Sequence, residues 1–281
     1  MPELPEVETI ARGLATRVIG DVIESVWLGQ KPEPLKSPAA EIARTLEGSR
    51  IRAVHRMGKH IVFDLERPKT SKRRKAETDD NSSAQWIVHL GMSGRLQVSE
   101  TNAEVVKHTH AILKLKSGLE LRFVDPRRFG RLSVATTGNF DAGGVEPLEV
   151  ELEKFTALFR GRKGPIKSAL LNQKLLRGVG NIYADESLFR AGIRPRRRVN
   201  TISREQLRRL YLAVREVLTE AIALGGSSIS DYVDADGEEG FFQLKHRVYG
   251  REGDPCLVCK TPIKRIVIAG RSSHYCPKCQ R

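Results

Sequence analysis

No cysteine occurs before position 256, no apolar run approaches membrane-spanning length, and acidic residues are in short supply. The missing cysteines exclude a disulfide framework across the body of the chain, and the four that exist crowd into its last 26 residues. A bilayer-crossing helix needs roughly 18 or more consecutive apolar residues, and the charged first residues do not form a signal peptide. A cytosolic protein is expected. With 34 Asp+Glu against 48 Lys+Arg, the net charge is +14. That balance points to a polyanionic partner, nucleic acid first and an anionic membrane second. Ribosomal proteins share it, so composition does not separate an enzyme from a passive binder. There is no internal repeat. At 281 residues the chain has room for one large or two ordinary domains.

What is present divides by texture. After Pro5, the residues Val7, Ile10, Ala11, Leu14 and Val18 fall at helical spacing, and Gly20 is a stop. From Val22 to about Val134 the pattern is β. Within it, "AILKLKSGLELRF" predicts a hairpin with one buried face, turning at Ser117-Gly118. The polar stretch "RPKTSKRRKAETDDNSS" near 66–85 reads as a disordered surface loop with solvated charges, a reading preferred over DNA contact by Lys72–Lys75. "TTGNFDAGGVEPLE" has the composition of an interdomain linker. Beyond it lies a clear helix, "SREQLRRLYLAVREVLTEAIALGG". Ser203 and Gln206 make its capping box, Leu207, Leu210, Tyr211, Val214, Val217 and Leu218 its buried stripe, and Gly225-Gly226 its end.

The cysteines form two C-x₂-C pairs, Cys256/Cys259 and Cys276/Cys279, separated by 16 residues. This is zinc-ribbon spacing. Four thiolates fill a tetrahedral shell and leave no open position, so one structural Zn²⁺ is expected. The intervening segment can turn back near Gly270. His274 could replace a cysteine, but with four available it reads as a hairpin residue. Lys264, Arg265, Arg271 and Lys278 suit phosphate contact, though a solvated face is the ordinary reading for Lys264 and Lys278.

The opening "MPELPEVET" admits two readings. One is a helix start whose positive end favours Glu3, Glu6 and Glu8. The other is chemical: a small residue after the initiator permits removal of Met1, leaving Pro2 as a free secondary amine beside a carboxylate. The α-amine reference pKa is roughly 7.7–8 against about 10.4 for lysine, so far more of it is neutral and nucleophilic near pH 7.

"PELPEVET", "RMGKH" at 56–60, "HLGMSGRL" at 89–96, "DPRRFG" at 125–130, "GVGNIYADE" at 178–186 and the four-cysteine ribbon occur in that order. In this the chain closely resembles the bacterial formamidopyrimidine-DNA glycosylase family over nearly its whole length, the polar insert excepted. The resemblance implies an α+β fold: an N-terminal catalytic β-sandwich domain with flanking helices over 1–136, a linker at 137–150, a helix–two-turn–helix DNA-binding domain over 151–240, and the zinc ribbon over 245–281. It implies a bifunctional glycosylase and abasic-site lyase that removes oxidised purines from double-stranded DNA, acting as a monomer in the bacterial cytoplasm.

Residue by residue, the resemblance makes Pro2 the nucleophile at the sugar C1′ and Glu3 the general acid. Lys59 becomes a proton donor in β-elimination, and Arg271 serves phosphate binding and δ-elimination. Met57 departs from the basic residue often found before the family's "GK". An enzyme attacking C1′ must take the nucleotide out of the duplex. Met92, Arg127 and Phe129 match the residues that fill the vacated stack, Arg127 facing the orphaned cytosine. Asn181 matches a phosphate ligand, and Gly178 and Gly180 permit close backbone approach there. His108 and the loop "RGRKGPIK", through Arg162, match further DNA contacts; His89 and Lys167 are additional phosphate candidates.

Two rivals stand beside this reading. The endonuclease VIII branch shares the architecture but prefers oxidised pyrimidines; the "PELPE" opening and the intact Met92/Arg127/Phe129 set favour the purine branch. A non-catalytic zinc-ribbon nucleic-acid-binding protein would explain charge and cysteines, but not Pro2-Glu3 or Lys59.

Overall fold

Apolar side chains at three- and four-residue spacing wind Leu4–Val18 into helix α1 of the computed structural model, which describes residues 1–67, 83–136, 138, 140–228, 235 and 237–281. The stretch read as a disordered loop, with Lys72–Lys75, falls mainly on 68–82, outside the described residues. Two units are distinguished. Met1–Pro2, Glu6–Ala142 and Ser228–Gly240 form one, and Glu3–Pro5, Gly143–Ser227 and Phe241–Arg281 the other.

In the first unit, β1 (Ile23–Leu28), α2 (Ala39–Leu46), β2 (Arg50–Met57), β3 (His60–Glu66), β4 (Ser83–His89), β5 (Arg95–Glu100), β6 (Thr109–Leu115), β7 (Leu119–Val124) and β8 (Arg131–Thr136) follow α1. The strands make two four-stranded sheets, ordered β1-β6-β7-β5 and β2-β3-β4-β8, antiparallel throughout. Both sheets and both helices feed one core. Leu14 and Val18 of α1, Leu46 of α2, Leu113 and Phe123 of one sheet, and Phe63 and Trp86 of the other belong to it. The Phe63 and Trp86 ring centroids lie 4.8 Å apart. Each such side chain, fully buried, contributes about 1.5–3 kcal/mol relative to leaving it in water.

The hairpin of β6 and β7 turns where the sequence placed it, with Gly118 at φ +87°. Its second face, however, is not left to solvent. On β7, Glu120 and Arg122 are each 3 % exposed and form an ion pair. The Arg122 guanidinium also donates to the carbonyls of Ala103 and Glu104 at 2.8 and 2.7 Å. A polar residue at an outward position is thus covered by a loop whose carbonyls it satisfies, which alternation alone does not reveal.

The second unit carries α3 (Leu152–Ala157), α4 (Ile166–Leu170), α5 (Asn181–Ala191), α6 (Arg204–Ala223) and a hairpin of β9 (Lys264–Ile268) with β10 (Arg271–Tyr275). Helix α6 begins at the Ser203/Gln206 capping box and buries Leu210, Val214, Val217 and Leu218. These pack with Phe155, Leu170, Tyr183 and Leu188 into a second core. Ala269 and Gly270, at φ +46° and +73°, close the β9–β10 hairpin as a two-residue turn. No helix among the described residues is long and apolar enough to cross a membrane.

Candidate active site and nucleic-acid interface

In the second unit the site is built on the N-terminus of α5. Glu3 is 4 % exposed, and its Oε1 accepts the backbone N–H of Ile182 at 3.3 Å. A carboxylate here meets free helical N–H groups and the positive end of the helix dipole. It fits because residue 180 is glycine: a Cβ there would fall 2.1 Å from the Glu3 carboxyl carbon. Gly178, at φ +87°, leaves similar room for Leu4, whose N–H donates to the Gly178 carbonyl at 3.0 Å. The glycines of "GVGN" are therefore space for the chain's own opening residues, beyond the backbone approach to phosphate expected of them.

Asn181 is the first residue of α5, and its Nδ2 donates to Ser272 Oγ at 3.3 Å. Ser272 follows Arg271, which is exposed at the start of β10 beside the Ala269-Gly270 turn. Lys167 lies beneath. It has no exposed surface, pairs with Asp185 at 2.7 Å, and donates to the Ser272 carbonyl at 2.6 Å. Burial pulls the Lys167 pKa down, and the Asp185 carboxylate opposes that pull. Asp185 also accepts the His274 backbone N–H at 2.8 Å. So the ammonium expected at a phosphate instead ties α4, α5 and β10 together. Arg162 is half-buried, with Nε on the Leu158 carbonyl at 2.6 Å, just past the end of α3. Glu186, next to Asp185 and fully buried, accepts the N–H groups of Arg247, Val248 and Tyr249, while burial raises its pKa. Sequence reasoning assigned neither acid a role. Their signal was two adjacent carboxylates on the apolar side of a helix, which are buried only when hydrogen-bonded.

In the first unit, Met1 is exposed and Pro2 buried. Lys59 sits with Gly58 in the two-residue turn joining β2 to β3 and is 9 % exposed. Arg56 braces that turn, donating to Glu8 at 2.8 Å and to the Gly58 carbonyl at 3.2 Å. His89 pairs with His60 across β3 and β4, their rings 4.9 Å apart. Burial, followed by the charges of His60, Lys59 and Arg131, lowers its pKa to about 4. Its Nδ1 accepts the Gly91 N–H at 3.1 Å, so the neutral ring keeps its proton on Nε2 and can donate there. A cavity of about 430 Å³ beside it is lined by Lys36, His60, Phe129, Arg131 and Phe140, with no carboxylate among the described residues.

Met92 and Phe129, which ordinarily would be core side chains, are 42 % and 47 % exposed. The exposed Arg127 places its guanidinium 4.9 Å from the Phe129 ring centroid. Their two loops touch through glycine, since a Cβ on Gly91 would lie 2.4 Å from the Phe129 carbonyl carbon. His108 is exposed at φ +69°, and its carbonyl accepts the Asp125 N–H at 3.0 Å.

The four cysteine sulfurs lie within 4.8 Å of one another, with Cys259–Cys276 at 3.4 Å and Cys256–Cys279 at 3.9 Å. Four thiolates about 2.3 Å from a common centre would stand about 3.8 Å apart, so the cluster fits one structural zinc. Cys259→Ser is expected to leave the first unit folded while freeing β9–β10 and Arg271 with it. Limited proteolysis should then cut within 253–281 first, and zinc content should fall below one per chain. Unchanged cleavage in the variant would refute the metal's role.

Three family models match along the chain: the formamidopyrimidine-DNA glycosylase N-terminal domain over residues 1–132, the formamidopyrimidine-DNA glycosylase H2TH domain over 144–233, and a zinc finger found in FPG and IleRS over 253–281. The chain is 46% identical over 283 residues to a formamidopyrimidine-DNA glycosylase of Solibacter usitatus, with 100% of both sequences covered. It is similar to the crystal structure of the MutM (Fpg) protein from Thermus thermophilus, with 40% identity, a TM-score of 0.84, and 99% and 98% of the two chains covered. A Lactococcus lactis FPG mutant in complex with Fapy-dG containing DNA gives 33% identity and a TM-score of 0.88 over 100% of both chains.

Proposed function

The chain belongs to the formamidopyrimidine-DNA glycosylase family, and we propose that it excises oxidised purines from duplex DNA and then cuts the strand by β,δ-elimination, with Pro2 as nucleophile. The observation that carries this reading is the seat of the Glu3 carboxylate on the N-terminus of α5, in space left by Gly180. An acid is held in place on the residue directly after the amine.

The chemistry follows. With Met1 removed, the Pro2 nitrogen attacks C1′ and the bond from C1′ to the damaged base breaks, the base leaving with a proton. Pro2 gives up its N–H proton to the Glu3 carboxylate, which passes a proton to the ring oxygen as the sugar opens, leaving an iminium at Pro2. Because the amine is secondary, that cation cannot be discharged by losing a second N–H. It acidifies the C2′ proton, whose loss expels the 3′-phosphate. Lys59 serves this elimination as proton donor, and Arg271 holds phosphate for the second one. Hydrolysis of the iminium returns Pro2.

Asn181, His108, Arg162 and His89 hold phosphates, His89 as a neutral Nε2–H donor. Lys167 supports the same task from below, through Ser272 and Asp185. Met92, Arg127 and Phe129 fill the vacated stack. The reading also implies a place and a state: a monomer in the bacterial cytoplasm, drawn to the nucleoid by DNA.

An incision assay over a small lesion panel tests it. Duplex containing 8-oxoguanine or a formamidopyrimidine should be nicked faster than duplex with an oxidised pyrimidine. A reversed ranking would favour the endonuclease VIII-like reading, and absence of nicking would leave only a binder. Asn181→Ala should weaken binding to damaged and undamaged duplex alike, since phosphate contacts carry no sequence information. Phe129→Ala should instead spare bulk binding and slow base release. Identical behaviour of the two variants would refute the division of labour.

A further inference from the structure

Met92 stands on one loop and Arg127 and Phe129 on another, yet filling one vacated stack needs all three in fixed relation. We propose that Asp125, acting through Ser93, is the positioning residue that makes them a single wedge, an inference that rests on the excision reading above. Asp125 has no exposed surface. Its Oδ1 accepts the Ser93 hydroxyl at 2.6 Å and the Arg127 N–H at 3.2 Å, and its Oδ2 accepts the Gly130 N–H at 2.7 Å. One carboxylate therefore binds the residue after Met92, the backbone of Arg127, and the residue after Phe129.

The hydroxyl of Ser93 closes the set by accepting the same Arg127 N–H at 3.3 Å. No cation pairs with Asp125 among the described residues, so these donors are what hold a buried charge. The main chain of Asp125 is held as firmly. His110 Nε2 stands 3.0 Å from its carbonyl oxygen, and its N–H donates to the His108 carbonyl at 3.0 Å. Glycine completes the geometry. A Cβ on Gly130 would fall 2.4 Å from the Phe123 ring and 3.1 Å from Asp125 Oδ2, so the chain approaches the carboxylate only without a side chain there. The result is two loops with rigid roots and three exposed tips.

A device of this kind matters when a stacked base must be displaced, and less when no base is present. Ser93→Ala and Asp125→Asn should therefore slow release of an oxidised purine from duplex on the order of 10²-fold, as ångström-scale misplacement does. Strand cleavage at a preformed abasic site should fall far less, with the melting temperature of Ser93→Ala close to that of the parent. Ser93→Thr, which keeps the hydroxyl, should restore base release. Equal losses on both substrates, or a failure of threonine to rescue, would overturn the proposal in favour of a merely structural carboxylate. Parent protein active on the lesion beside an equally active Ser93→Ala overturns this inference alone. Parent protein inactive on the lesion overturns the excision reading and this inference with it.

Discussion

Borohydride added while the protein acts on an 8-oxoguanine duplex should give a covalent protein–DNA species, and its N-terminal peptide should carry the sugar remnant on Pro2. Hydride reduces the iminium to a tertiary amine, which cannot hydrolyse. A residue retained ahead of Pro2 turns the nitrogen into an amide, whose lone pair is delocalised into the carbonyl. Adduct and base release should then fall to background together. Binding to lesion duplex should persist, because the cationic surface is untouched. The rise of activity with pH should follow an amine titrating well below lysine's ordinary range. If the extended protein still forms the adduct at normal yield, the nucleophile is another amine, and Lys59 is the first to replace.

Gly180→Ala should be nearly as damaging to chemistry while sparing the fold. The added methyl would sit 2.1 Å from the Glu3 carboxyl carbon, so something must move. What moves most readily is the end of the glutamate side chain, since the residue-180 backbone leads directly into α5. Gly180 adopts φ −130°, a conformation open to alanine, so no backbone strain is added. The melting temperature should shift little, and base release should fall by about 10²–10⁴-fold, the usual worth of general acid–base help. Glu3→Gln should cost a similar factor. Because both changes remove one function, the double variant should lose little more than either single one. Additive losses would mean that Gly180 acts through something other than Glu3.

Much of this was legible in the chain. Ser203/Gln206, the α6 stripe and the Gly118 and Gly270 turns depend on neighbours a few residues away, and local spacing records them. The cysteines are likewise legible because metal geometry dictates their intervals. Asp125, Asp185, Glu186 and Arg122 are different. Each is a charged residue whose burial depends on at least one partner from a remote segment, such as Ser93 for Asp125 or the Ala103 and Glu104 carbonyls for Arg122, and nothing in its own neighbourhood predicts that partner. Lys167 shows the same gap from the other side: a lysine in a basic loop looks like a phosphate ligand until Asp185, 18 positions away, claims it. Met92 and Phe129 look like core residues in the sequence, and only the close approach of their two loops at Gly91 goes with their exposed placement.

The bond between Glu3 and Ile182 spans 179 positions of sequence, and a ribosome delivers those two residues at different times. At about 5–20 residues per second, roughly ten to forty seconds separate them. Throughout that interval Glu3 has no α5 on which to dock, although the rest of α1 already has its core partners in the first unit. Once the "GVGN" segment emerges, the Glu3 carboxylate can reach the N-terminus of α5. Removal of Met1, on which the proposed role of Pro2 depends, therefore has that interval in which to occur before Glu3 is docked.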